Sequence, residues 1–198
     1  MTGNAPGSIT HANTALVVID MQVIFQDPHS QWHVSTYEQV APRVGELVAQ
    51  FPSNVIWTKF VRDPGEQGSW GAYYDRWGTC RLAPDAADWD LTMQVREDDQ
   101  VLTLPTFSKW GPELASMTSG QEHLIVCGVA TDCCVLSTVL AAVDAGKRVT
   151  LVADACGGAT PEAHDQAIGL MNLLSPMVQV VDTAELLDGA ALKAEASC

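Results

Sequence analysis

The run Thr14-Ala15-Leu16-Val17-Val18-Ile19-Asp20 constrains the fold most, because it is apolar at successive positions rather than at alternate ones. A strand whose two faces are both apolar has to be covered on both sides, and that is the situation of a strand inside a parallel sheet. Further strand-like runs follow at 54–60, 101–104, 122–129, 149–153 and 178–181. Between them the apolar residues recur at helical spacing. Val40, Val44, Leu47, Val48 and Phe51 form one such stripe, with Pro42 expected in its first turn. Gly111 to Met117 opens with Pro112 and Glu113, residues suited to a helix start. Leu136, Val139, Leu140 and Val143 mark a helix over 133–145 stopped by Gly146, and another is expected from Pro161 to Leu174. Strands alternating with helices predict an α/β, doubly wound, three-layer fold with a mainly parallel sheet.

Residues 1–13 are polar and contain Gly, Pro and Ser, so they read as a flexible leader; 14–198 read as a single domain whose tail, from Ala184, is helix-prone and frays. The stretch 61–98 has no clean period and holds Trp70, Tyr73, Tyr74, Trp77 and Trp89, so a long, partly helical excursion is expected there. No apolar run is long enough to span a bilayer, so no membrane partner is expected. The six cysteines (Cys80, Cys127, Cys133, Cys134, Cys156 and Cys198) contain no Cys-x-x-Cys pair, which suits reduced thiols in a cytoplasmic protein. With 24 acidic and 10 basic residues the net charge is −14. That argues against nucleic acid as a partner, favours solubility, and is compatible with a cationic substrate.

Ligands of open α/β sheets bind beyond the carboxyl ends of the strands. Asp20 ends the first strand, Lys59 the second, the 104–109 region follows the third, and Cys133-Cys134 follow the fourth. Residues distant in sequence therefore converge on one crevice. A cysteine in the first turn of a helix faces unpaired N–H groups and the positive end of the dipole, so Cys134 is expected to favour thiolate.

The segments Leu16-Val17-Val18-Ile19-Asp20-Met21-Gln22, Gly128-Val129-Ala130-Thr131-Asp132-Cys133-Cys134-Val135 and Val152-Ala153-Asp154-Ala155-Cys156 resemble the isochorismatase-like cysteine hydrolases. The resemblance spans roughly Ala15 to Val181. It implies an Asp–Lys–Cys triad that hydrolyses C–N bonds of small amides, lactams or carbamoyl compounds through a thioester. Position by position, Cys134 matches the nucleophile and Asp20 the acid–base. The Val129-Ala130 peptide matches a bond that is cis in the family, and the N–H groups of Ala130 and Cys134 match an oxyanion hole. Cys133 falls at a variable position and is expected to pack; Asp154 is expected to fix a local turn.

One departure concerns the lysine. Aligning Phe107-Ser108-Lys109-Trp110 on the family's aromatic element puts Leu104 where the lysine is expected. Lys109 is then the candidate to supply the charge from a shifted position. Otherwise it contacts surface or substrate, and the triad is incomplete or completed by Lys59. Nicotinamidase members carry metal-binding histidines after the second strand; here that stretch is Lys59-Phe60-Val61-Arg62-Asp63-Pro64-Gly65, so neither a catalytic metal nor any other cofactor is expected. The substrate-pocket candidates are His29, Trp32, Lys59, Trp70 and Tyr74, the last two from an aromatic excursion that lines the pocket or covers a neighbouring subunit. The resemblance further implies a small-molecule substrate and a homo-oligomer. Two rival functions stay open: vinyl-ether hydrolysis of the isochorismatase type, which does not need the cysteine, and a catalytically impaired binding member of the fold.

Overall fold

The computed structural model describes residues 11–188. Its strands are β1 (Thr14–Ile19), β2 (Val55–Phe60), β3 (Gln100–Leu104), β4 (His123–Val129), β5 (Arg148–Gly157) and β6 (Val178–Val181). They form one six-stranded sheet in the order β3-β2-β1-β4-β5-β6, and every pairing is parallel. The helices are α1 (Val23–Gln26), α2 (Tyr37–Gln50), α3 (Trp70–Arg76), α4 (Pro112–Met117), α5 (Leu136–Asp144), α6 (Pro161–Asn172) and α7 (Thr183–Asp188). Every residue of β1 and β4 is buried, as the unbroken apolar runs require. Helix α2 packs on β4 and β5 and touches α7, while α5 and α6 pack on each other and on β5.

The chain winds outward from β1 through β2 to β3, then returns to the other side of β1 to lay down β4. The winding therefore reverses between β1 and β4, where a crevice opens at the strand ends. Gly128 makes this junction close. Its φ is +110°, and a Cβ there would lie 2.1 Å from the Ile19 carbonyl oxygen, so only glycine fits opposite Ile19, its partner in the ladder.

The elements depart from the sequence expectations in three places, and the 61–98 stretch is partly helical as expected. Pro42 lies in the second turn of α2, because that helix already begins at Tyr37. The helix expected from 133 begins at Leu136, since Thr131–Val135 form a wider π-helical turn. Strand β5 runs on to Gly157 because its register against β4 shifts between Val126 and Gly128, after which Gly128 pairs with Cys156 and Val129 with Gly157. The aperiodic stretch contains α3 and two 3₁₀ turns, Gly78–Cys80 and Ala87–Trp89. The leader reading falls outside the described residues except for the turn at 11–13, and so does the tail beyond Asp188.

Candidate active site

Asp20 leaves the end of β1 with φ +47°, a left-handed conformation that a short polar side chain tolerates better than most. Its carboxylate is fully buried. The Thr58 hydroxyl donates to Oδ1 at 2.6 Å and accepts from the Asp20 N–H at 3.2 Å. The neighbouring Gln22 staples this strand end in place. Its amide donates to the carbonyls of Phe60 and Trp89 at 2.9 and 2.6 Å and accepts the Phe60 N–H at 2.8 Å. The Ile-Asp-Met-Gln segment thus joins β1, β2 and the 87–89 turn.

The second Asp20 oxygen lies 3.0 Å from Lys109 Nζ, and neither side chain is exposed at all. The ammonium also donates to the Thr106 carbonyl at 2.8 Å and sits 4.9 Å from the centre of the Phe60 ring, a favourable place for a cation. The backbone explains how a lysine five residues beyond Leu104 reaches Asp20. Thr138 on α5 accepts the Lys109 N–H at 2.8 Å, folding the 105–110 loop back over the helix. The same hydroxyl donates to the Cys134 carbonyl at 2.6 Å. One buried threonine therefore ties the main chains of Lys109 and Cys134 together.

Cys134 is buried in the π-helical turn directly after β4. The N–H groups of Cys133 and Val135 both donate to the Ala130 carbonyl, at 3.0 and 3.1 Å, and the Val129-Ala130 peptide is cis. The expectation of a stabilised thiolate is corrected here. The Cys134 thiol is pushed well above its ordinary value, first by its hydrogen bond with Cys133, then by burial, then by the Asp20 carboxylate, with Lys109 acting in the opposite sense. Burial and a nearby anion outweigh the dipole of a short turn. Asp20 and Lys109 thus act on this sulfur in opposite senses.

A cavity of about 320 Å³ opens over Ala130, Cys133 and Cys134. Phe25, Trp32, Phe60, Tyr73, Trp77 and Phe107 line it, with Gln31, His33, Asp132 and Thr160 as its polar side chains. Trp32, Ala130 and Cys134 are at the cavity as expected; the remaining pocket candidates, His29, Lys59, Trp70 and Tyr74, lie elsewhere. His29 is exposed in a turn where its N–H donates to Asp27 at 2.9 Å. Lys59 follows Thr58 on β2, so it points to the opposite face and meets Asp90 at 3.5 Å. Trp70 and Tyr74, one turn apart on α3, line a second hollow of about 180 Å³ with Asp63, Glu66 and Thr106. Tyr73 and Trp77, also one turn apart, present to the main cavity instead. Cys133 is half-buried: it packs against the core, as expected, and also forms part of the cavity wall. Asp154 does fix a local structure, accepting the Thr183 N–H and hydroxyl at 2.7 and 2.8 Å where α7 begins.

The model of the isochorismatase domain matches residues 14–185. The chain belongs to the isochorismatase family. Among relatives of this family, a protein of Arabidopsis thaliana named probable inactive nicotinamidase is 34% identical over 167 residues, covering 77% of this chain and 84% of the relative. Among solved structures, a cysteine hydrolase from Pseudomonas syringae pv. phaseolicola superposes with a TM-score of 0.81 at 21% identity, over 96% of this chain and 98% of that one. A pyrazinamidase of Pyrococcus horikoshii in complex with zinc gives 0.71 at 24% identity, over 86% and 99%. These likenesses establish the isochorismatase-like fold. As for a metal, the described residues hold no group of three or more His, Cys, Asp or Glu side chains able to bind one. The residues present do not fit a metal centre, and no chemical step below passes through one.

Proposed function

We propose that this isochorismatase-family protein is a cysteine hydrolase that cleaves a C–N bond of a small amide, lactam or carbamoyl compound. The observation that carries the proposal is the buried Lys109–Asp20 pair at 3.0 Å beside Cys134. In this reading the Cys134 thiol passes its proton to Asp20 as the sulfur bonds to the substrate carbonyl carbon, and the carbonyl π electrons move to oxygen. The N–H groups of Ala130 and Cys134 stabilise that oxyanion. The tetrahedral centre collapses, the C–N bond breaks, and Asp20 returns the proton to the leaving nitrogen. Water then gives a proton to Asp20 and its oxygen attacks the thioester; the sulfur leaves and is reprotonated. The sum is amide plus water to acid plus amine. Lys109 offsets the Asp20 charge, so that a carboxylate and a developing thiolate are tolerated together. The thiol's high resting protonation suits a mechanism in which the proton moves during attack.

Leu104 was the reason to consider an impaired member; Lys109, arriving from the following loop to pair with Asp20, supports the catalytic reading instead. Vinyl-ether hydrolysis of an anionic dicarboxylate is disfavoured by the cavity, whose lining includes no lysine or arginine. A panel of primary amides, lactams and carbamoyl compounds, assayed for ammonia or amine release, tests the proposal. Wild type should turn over at least one compound, and Cys134→Ala should remain folded and lose that turnover. Equal rates in the two proteins would remove the cysteine mechanism.

A further inference from the structure

Granting the amide chemistry above, we infer that the cavity selects substrates bearing a positive charge: compact, flat amides with a cationic nitrogen near the scissile carbonyl. Three observations converge on this class. First, the walls are aromatic, and Phe25 with Trp32, and Phe60 with Phe107, stack in pairs whose centres are 6.1 and 6.2 Å apart. Tyr73 stands edge-on to Phe107 at 5.4 Å. Aromatic faces carry negative quadrupoles and attract cations that have left water. Second, the lining includes no lysine or arginine, and Lys109 is fully buried in its pair with Asp20. An anionic substrate would thus lose hydration without gaining a lysine or arginine partner, and a cationic one would meet neither.

Third, the one carboxylate lining the cavity is Asp132, two residues before Cys134. No lysine, arginine or histidine among the described residues forms an ion pair with it. Its Oδ1 accepts the Ala159 N–H at 2.8 Å, and a Cβ on Gly158 would come within 2.9 Å of that oxygen. The carboxylate is therefore fixed against the 157–160 loop at the cavity edge. The net charge of −14 adds a long-range attraction for cations.

Binding of three probes to the Cys134→Ala protein, measured by calorimetry, tests the inference apart from chemistry. The probes are nicotinamide, its ring-N-methylated cation, and a neutral ring-C-methyl isomer of the same size. The cation should bind about tenfold more tightly than either neutral probe, and Asp132→Asn, which keeps an acceptor for Ala159, should remove most of that difference. Neutral probes binding as tightly as the cation would overturn the inference, and so would no binding of any probe up to about 10 mM. Turnover by wild type separates this from the proposed function. Cleavage of neutral amides with no cation preference leaves the hydrolase and removes the selectivity. A cation preference with no cleavage of any amide leaves the selectivity and removes the hydrolase.

Discussion

Replacing Lys109 with Met keeps most of the stem and removes the ammonium. The structure makes the consequence large. Lys109 Nζ lies 3.0 Å from an Asp20 carboxylate, with both side chains wholly excluded from solvent, so the variant leaves a buried anion supported by the Thr58 hydroxyl. Breaking one partner out of such a pair costs about 3–5 kcal/mol, and the Thr106 carbonyl, which loses its donor, adds about 1 kcal/mol. Without the ammonium, nothing offsets the Asp20 charge as a thiolate develops beside it. Stability measured by urea denaturation should fall by that amount, with turnover lost. The double variant Asp20→Asn/Lys109→Met removes both charges together, and because paired neutral replacements are close to neutral in energy it should recover most of the stability while staying inactive. Lys59→Met, whose partner Asp90 is largely exposed at 3.5 Å, should cost less than about 1 kcal/mol. The reasoning is refuted if Lys109→Met is as stable and active as wild type, or if the double variant is no more stable than the single one.

Three further outcomes follow from the same structure. Because the hydrogen bond with Cys133, burial and Asp20 raise the Cys134 thiol above its ordinary value, inactivation by iodoacetamide should keep accelerating with pH through about 8.5, the ordinary thiol value; a plateau already reached near neutral pH would contradict this. His123 at the start of β4 shares a 2.8 Å hydrogen bond with Thr150, and its pKa is lowered to about 4 by burial, with Arg148 adding to the shift. The unfolded chain therefore binds the proton first, at about 6.5, so this contribution is complete above that value and is lost as pH falls toward 4. It amounts to at most about 3 kcal/mol, and denaturation of His123→Gln should show a correspondingly shallower acid dependence than wild type. Gly128→Ala would force a methyl onto the Ile19 carbonyl at a positive φ, and thermal denaturation should show a loss of more than about 3 kcal/mol; wild-type stability would mean the β1–β4 junction is looser than described.

The parallel sheet was legible because β1 and β4 are apolar on both faces, a pattern that half-exposed strands do not show. Asp20 and Cys134 were legible because strand ends on either side of the winding reversal must meet. Lys109 was legible as a candidate only, since its position depends on the Thr138 hydroxyl binding its N–H, a contact between residues 29 apart that no local pattern announces. The pocket walls were the least accessible. Without a visible period in 61–98 the limits of α3 were unknown, so Trp70 and Tyr74 could not be separated from Tyr73 and Trp77, although the two pairs end in different hollows. Lys59 was misplaced for a simpler reason: once Thr58 faces Asp20, strand alternation turns the next side chain away. The thiolate expectation weighed the helix start correctly but had no measure of the hydrogen bond with Cys133, nor of burial.

Covalent capture of the substrate is the most direct test of the central claim. Wild-type protein, quenched in acid during turnover of any amide it cleaves, should gain the mass of the acyl group without its amine, and peptide mapping should place that mass on Cys134. Turnover with no such adduct, or with the acyl group on another residue such as Cys133, would contradict the account.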